Sequence, residues 1–228
     1  MKNRIKAGSL WFMESCRQET KDAFLSSGKV VKYEKNICFI RPREGKNALF
    51  FLLDGKVQVY NLTNGGLKKI LFILGSNELV NQRIFGDVDT IYAETLDECE
   101  LFIIDRECLL NLMKQDFSLS KALMTYQEKK MWRLEHQLKN TSGSIYLEKK
   151  LASRLWKLAR DFGILASKGM LIDMPLSVTF LADLLGASRE NTSRSLKKLT
   201  EMDLVFVDKK KIYVKMDETS RFYKSHDK

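Results

Sequence analysis

The chain has 228 residues, 44 % hydrophobic and 30 % charged, with 2 Pro and 12 Gly; that supplies real cores and leaves no composition for a long disordered linker. No apolar run approaches the roughly 20 residues that cross a bilayer, and no apolar core comes after Met1 to Leu10, so neither a membrane span nor a secretory signal is expected and the setting is cytoplasmic. The formal net charge is +10, and Ile145 to Lys228 holds 17 Lys/Arg against 11 Asp/Glu where the first 144 residues hold 22 against 18; the more basic last third points to a polyanionic partner.

Leu10 to Ser26 reads as a helix packed on the outside of a β domain. That domain spans residues from about 30 to 105, which read as short strands with regular turns, the pattern of a closed or double-sheet β structure. Leu49 to Leu53 is an apolar run, Lys56 to Tyr60 alternates, and Asp54-Gly55 between them predicts a hairpin. Asn64-Gly65-Gly66 predicts a second turn before Ile70 to Leu74. Asp97-Glu98 predicts a third, between Thr90 to Leu96 and Cys99 to Ile104. Glu107 to Asn140 then lacks Gly and Pro. Leu119, Leu123, Met131, Leu134 and Leu138, with Gln127 in the gap, form one apolar stripe on a long helix, narrow enough to pair with a twin. Asn140 to Ser144 is a polar break that reads as a hinge, with Ser144 as an N-cap. Leu147, Leu151, Leu155, Leu158 and Phe162 mark the next amphipathic helix.

Leu176 to Leu204 carries the most chemistry. Ser177 caps a helix whose buried face is Val178, Leu181, Ala182 and Leu185, and Gly186 supplies the positive φ that ends it. Ser188 caps a second helix, Arg189 to Glu201. Thr192, Ser195, Leu196 and Leu199 share its inner face; Arg189, Glu190, Ser193, Arg194 and Lys197 lie on the other. This is the layout of a helix-turn-helix, whose second helix offers its first turns to the major groove. Arginine can bridge guanine O6 and N7, and glutamate can accept from cytosine N4. Ser188 at a helix N-terminus suits a backbone phosphate, and Ser177 and Thr179 on the preceding helix join the expected DNA-contacting set. Leu204 to Val207 and Ile212 to Val214 form a β wing, with Lys209, Lys210 and Lys211 at its tip for phosphate contact.

Ser188-Arg189-Glu190-Asn191-Thr192-Ser193-Arg194 resembles the recognition-helix signature S-R-E-T-V-x-R of the cyclic-AMP receptor protein/FNR superfamily. The wing and Phe51-Leu52-Leu53-Asp54-Gly55-Lys56-Val57 resemble it too, in the same order along nearly the whole chain. The resemblance implies an α+β fold in three parts. Residues 1–106 would form a cyclic-nucleotide-binding-like sensor, a double-stranded β-helix (jelly roll). Residues 107–140 would form a long dimerisation helix with its hinge, and residues 141–228 a winged helix-turn-helix domain. It implies a homodimer on double-stranded DNA, an inverted repeat with TGA-containing half-sites, and RNA polymerase as a partner. Arg189, Glu190 and Arg194 would be the base and near-base contacts, with Ser193 taking part as in the FNR branch. Asn191 and Thr192 depart from the usual Thr and aliphatic.

The sensor departs further. Cyclic-nucleotide binders cradle the phosphate with Gly-Glu and Arg-Ser pairs; the nearest equivalents are Gly75, Glu78 and Asp89-Thr90. An Asp where the phosphate needs Arg repels the ligand, so cyclic AMP is not the expected effector. Cys16, Cys38, Cys99 and Cys108 form no CxxC pair or zinc spacing, and only Cys16 lies in the N-terminal region where an iron–sulfur sensor needs a cluster. With His136 and His226 the only histidines, haem is poorly supported. No metal or other cofactor is expected, and no nucleophile–base set or phosphate loop marks an enzyme. The expectation is a regulator whose small-molecule effector binds between the sensor and the long helix, at Leu79, Val80, Ile91, Tyr92, Met124 and Gln127. A cysteine redox switch and a cyclic-nucleotide regulator are the alternatives.

Overall fold

The computed structural model describes residues 11–44, 47–81, 83–86, 89–139 and 146–225. The hinge expected at Asn140 to Ser144 lies outside them. The chain divides into two compact units, Met1–Asn61 with Leu71–Leu134, and Leu62–Ile70 with Glu135–Lys228.

The first unit stacks a helical layer on two sheets. Strands β1 (Gly28–Tyr33), β3 (Ala48–Asp54), β6 (Glu78–Leu79) and β8 (Cys99–Asp105) form one sheet in the order β1-β8-β3-β6. Strands β2 (Cys38–Ile40), β4 (Val57–Leu62), β5 (Lys68–Leu74) and β7 (Tyr92–Thr95) form the other, ordered β2-β7-β4-β5. The run Leu49-Phe50-Phe51-Leu52 is apolar at every position because β3 is covered on both faces. Phe50 and Leu52 point between the sheets, with Val57, Val59, Ile91 and Leu101. Leu49 and Phe51 point to the helical layer, with Phe24, Phe102, Leu109, Leu119 and Leu123.

Two expected hairpins are corners instead. β3 pairs with β8 and β6, and β4 with β7, so Asp54-Gly55 carries the chain from one sheet to the other. Gly55 has φ +94°, and a Cβ there would lie 2.5 Å from the Glu98 carbonyl; glycine is required because the second corner, Asp97-Glu98, passes against it. Lys56 fixes that crossing: its N–H donates to Asp97 Oδ1 (2.6 Å) and its amine to Oδ2 (3.2 Å). Asn64-Gly65-Gly66 does close a hairpin, with Thr63 N–H donating to the Leu67 carbonyl at 2.8 Å.

The helical layer differs from its expectation at both ends. Residues Trp11–Met13 form a short 3-10 turn before α1 (Gln18–Ser26), and Phe24 is fully buried, with its ring 5.0 Å from Phe102 and 5.5 Å from Phe51. The first helix therefore packs on the outer face of the sheet that holds β3 and β8, as expected, but begins only at Gln18. The uninterrupted helix expected from Glu107 is two, α2 (Arg106–Gln115) and α3 (Phe117–Lys139). Asp116 between them has extended backbone (φ −133°, ψ 104°) and caps α3 by accepting from Ser118 N–H at 2.9 Å. Its second oxygen accepts from the Thr20 hydroxyl at 2.6 Å. The Ser118 and Thr20 hydroxyls hold its carboxyl well below the usual range.

In the second unit, α4 (Leu147–Phe162) presents Leu151, Leu155 and Leu158 to a core shared with α5 (Val178–Leu185) and α6 (Arg189–Glu201). A four-stranded antiparallel sheet closes it. The expected wing is β11 (Val205–Asp208) with β12 (Lys211–Val214); β9 (Gly163–Ala166), β10 (Gly169–Ile172) and α7 (Met216–Lys224) complete the unit.

Candidate nucleic-acid interface and effector cavity

Local chemistry builds the turn between α5 and α6. Ser177 Oγ accepts from Phe180 N–H (3.1 Å) and Ser188 Oγ from Asn191 N–H (3.2 Å), so both helices start on a serine cap. Gly186 ends α5 in the left-handed region (φ 69°, ψ 42°), and its N–H donates to the Ala182 carbonyl at 2.8 Å. Leu181, Ala182, Thr192, Ser195 and Leu199 are buried between the helices, with Leu196 half-buried. Thr192 sits where an aliphatic is usual; its hydroxyl turns back to the Ser188 carbonyl (2.9 Å), so a polar residue fits that buried place. Arg189, Glu190, Asn191, Ser193, Arg194 and Lys197 are all exposed. The side chains of Arg189, Glu190, Ser193 and Arg194 bond to no other described residue, and Lys197 makes only an exposed ion pair with Glu201 at 3.6 Å. Ser177, Thr179 and Ser188 are exposed beside them.

The wing turns on two residues, with Asp208 paired to Lys211. Lys209 takes φ +55°, a strained conformation for a non-glycine residue. Lys209, Lys210 and Lys211 are exposed; their ammonium groups have no partner among the described residues.

In the first unit a cavity of about 690 Å³ opens between α3 and the loop after β6. Its walls include Phe72, Ile84, Phe85, Leu123, Met124 and Met131, with Gln127 and Lys130 from α3. Lys130 is 7 % exposed; its amine donates to the Leu79 carbonyl at 2.5 Å and to the Asn81 carbonyl at 3.5 Å. Burial pushes that amine down to about 8. Tyr126 OH also donates to the Leu79 carbonyl (3.3 Å), and Arg133 donates to Glu78 Oε1 (2.6 Å). Three side chains of α3, spaced 126, 130 and 133, thus grip the β6 segment.

A sequence profile of the Crp-like helix-turn-helix domain matches residues 149–217, and one of the cyclic nucleotide-binding domain matches residues 30–116. Together they take in most of the chain, in the order of the two units. The chain belongs to the Crp/Fnr family. The global nitrogen regulator of Synechococcus elongatus is 28 % identical over 209 residues, covering 83 % of this chain and 89 % of that one. Of solved structures, FixK2 from Bradyrhizobium japonicum superposes with a TM-score of 0.76 at 16 % identity, covering 88 % of this chain and 99 % of that one. The c-di-GMP responsive regulator CLP of Xanthomonas campestris gives 0.73 at 23 %, covering 87 % and 99 %.

As a Crp/Fnr member the chain is a DNA-binding transcription regulator with an effector-binding domain. Regulators of this family act as dimers. No described helix is long and apolar enough to cross a membrane. At the positions nearest the family's nucleotide cradle, Gly75 N–H donates to Glu78 Oε2 (3.1 Å), while Arg133 holds the other oxygen. Asp89 is buried with Oδ2 accepting from Asn81 (2.8 Å), and its Oδ1 has no partner. Of the residues expected around an effector, Met124 and Gln127 line the cavity. Leu79, Val80 and Ile91 are buried in the cores, and Tyr92 stacks on Tyr60 with ring centroids 5.0 Å apart. Met131, grouped in the sequence with Leu119 and Leu123, is instead 58 % exposed, because the buried face of α3 runs Leu119, Leu123, Tyr126, Lys130. The sequence pattern does not single out Lys130, Tyr126 or Arg133; their i, i+4, i+7 spacing is the available signal, masked because a lysine is normally solvated.

Proposed function

We propose that the chain is a dimeric regulator whose α6 reads the major groove of an inverted repeat with TGA-containing half-sites, under control of a small-molecule effector other than cyclic AMP. The carrying observation is the polar face of α6, exposed and without internal partners at Arg189, Glu190, Ser193 and Arg194. Such groups satisfy their hydrogen bonds on base edges once the helix enters the groove. Ser188, Ser177 and Thr179 with Lys209, Lys210 and Lys211 would hold phosphates. Phe117, Met124 and Met131 recur every seven residues on α3 and are 76 %, 55 % and 58 % exposed. That spacing is a seam for a second copy, and RNA polymerase would be met by the DNA-bound dimer.

Two observations favour an effector other than cyclic AMP. Glu78 is already engaged by Arg133 and Gly75, and Asp89 stands where a phosphate needs a cation. CLP is described as c-di-GMP responsive, so the fold does not set the ligand. No resident metal or cofactor is part of this reading. Burial pushes the thiols of Cys16, Cys38 and Cys99 up, Cys99 to about 12, which disfavours their thiolates and leaves the exposed Cys108 as the accessible thiol. Selecting bound sites from random duplexes tests the reading. An enriched palindrome with TGA half-sites about one helical turn apart is expected; recovery of no common sequence overturns it.

A further inference from the structure

We propose that the cavity beside α3 takes a small organic acid, an apolar body bearing one carboxylate or phenolate, with the negative charge set against Lys130. This rests on the cavity being the effector site and adds the chemistry of its ligand.

The walls dictate the body. Phe72, Phe85, Leu123, Met124, Met131 and Leu134 surround the space, and its volume of about 690 Å³ lies in the range that holds a drug-sized molecule, about 300–1,000 Å³. Methionines let the wall adapt to an aromatic or an alkyl group.

The buried charges dictate the head group. Arg83 and Glu128 also line the cavity, but both are exposed and keep their water. Lys130 is the buried ionisable residue of the lining. An ammonium has three N–H donors; Leu79 and Asn81 take two, the second at 3.5 Å, and the Tyr126 ring centroid lies 5.1 Å away. No carboxylate among the described residues lies within ion-pair distance of it: Glu78 is paired to Arg133, and Asp89 is bonded to Asn81.

A second cation stands behind the same wall. Arg106 is 4 % exposed and donates to the carbonyls of Arg83 (2.9 Å) and Ile84 (2.8 Å), two lining residues. Its Nε and Nη2 are buried with no partner. Among the described residues, the buried charges at and behind this wall are therefore two cations, Lys130 and Arg106, against one carboxylate, Asp89. A buried charge without a counter-charge is costly, and one anion restores the balance. A cationic ligand would worsen it, and a neutral one would leave it standing.

The test is titration calorimetry on the full chain at neutral pH with two matched pairs, phenylacetate against phenylacetamide and octanoate against octanamide. At least one acid is expected to bind about tenfold or more tightly than its amide, the preference a charge-assisted contact gives. Lys130→Met should bring the acid down to the amide and leave the amide's affinity unchanged. Lys130→Gln, which keeps donors for Leu79 and Asn81, should do the same and serves if the methionine variant fails to fold. Equal binding of acid and amide, an acid preference that survives both variants, or no binding of either acid overturns the proposal. Phe85→Ala, which removes part of the loop wall and lies outside the Phe117, Met124 and Met131 seam, separates the two ideas. Equal acid and amide binding that is lost in this variant overturns the acid and leaves the effector cavity standing.

Discussion

Charge is handled in opposite ways on α6 and α3. On α6 the arginines and the glutamate are exposed and bonded to nothing within the described protein. On α3, Lys130 is buried and Arg133 half-buried, and both are spent on the β6 segment at Leu79 and Glu78. The first arrangement contributes almost nothing to the fold and is kept for an outside partner. The second ties a helix to a sheet, so anything that alters the cavity wall between them also alters how α3 is held. A regulator needs both: a contact surface whose residues can change without cost to folding, and a sensing core in which a small local change is felt by a whole helix.

The contrast predicts that polar substitutions in the sensor damage stability, whereas those at the exposed, unbonded positions of α6 damage binding alone. The largest effect belongs to Asn81. Its side chain accepts from Phe50 N–H (2.8 Å) and donates to the Ala48 carbonyl (3.2 Å) and to Asp89 (2.8 Å), all at a fully buried site. Asn81→Ala leaves a buried carboxylate and a buried N–H without donor or acceptor, and should lower unfolding free energy by about 3 kcal/mol or more. Urea unfolding followed by tryptophan fluorescence measures it; a loss below the ordinary surface range of about 0.5 kcal/mol would erase the contrast.

Arg194→Ala comes next and acts on the other quantity. It should cost about 1–3 kcal/mol of DNA affinity, concentrated at one base pair of each half-site. The melting temperature should not move, because no bond inside the protein is lost. Competition binding over single-base variants of the selected site decides it. A uniform loss across sequences would reassign Arg194 to the phosphates. Ser188→Ala should come after it, at about 1 kcal/mol of stability through the lost cap on Asn191 N–H, and thermal unfolding reads it directly.

The two regions also differ in how much their sequence discloses. Every cue for α5 and α6 is local: Ser177, Gly186, Ser188 and the inner spacing of Thr192, Ser195 and Leu199. Each acts within a few residues, so the helix-turn-helix and its exposed face are legible. The sensor is decided across the chain. Asp54-Gly55 has the chemistry of a hairpin, yet its strands go to different sheets because β3 takes β8, some 45 residues on, as its partner. Asp116 breaks a Gly- and Pro-free helix with help from Thr20, 96 residues away. Apolar residues expected around an effector, Leu79, Val80 and Ile91, are drawn into the cores by burial, the commoner fate of such side chains. The lysine that does line the cavity is hidden because lysine is rarely buried.

The smallest predicted effect is the sharpest test of roles within the DNA-binding unit. Lys210 sits at the wing tip, exposed, on a turn strained at Lys209. A lysine there offers a point charge, which suits a phosphate and carries no base information. Each neutralised phosphate releases condensed counterions, so Lys210→Ala should reduce the slope of log affinity against log salt by about one unit. The loss should be the same for every sequence and should shrink as salt rises. Arg194→Ala, in contrast, should keep most of its penalty at high salt, since hydrogen bonds to base edges are not screened as phosphate attraction is. Titrations of both variants on the selected site and on a scrambled duplex, at several salt concentrations, separate the two. If Lys210→Ala changed sequence preference, the wing would be entering a groove and the division of labour between α6 and the β11–β12 hairpin would have to be redrawn.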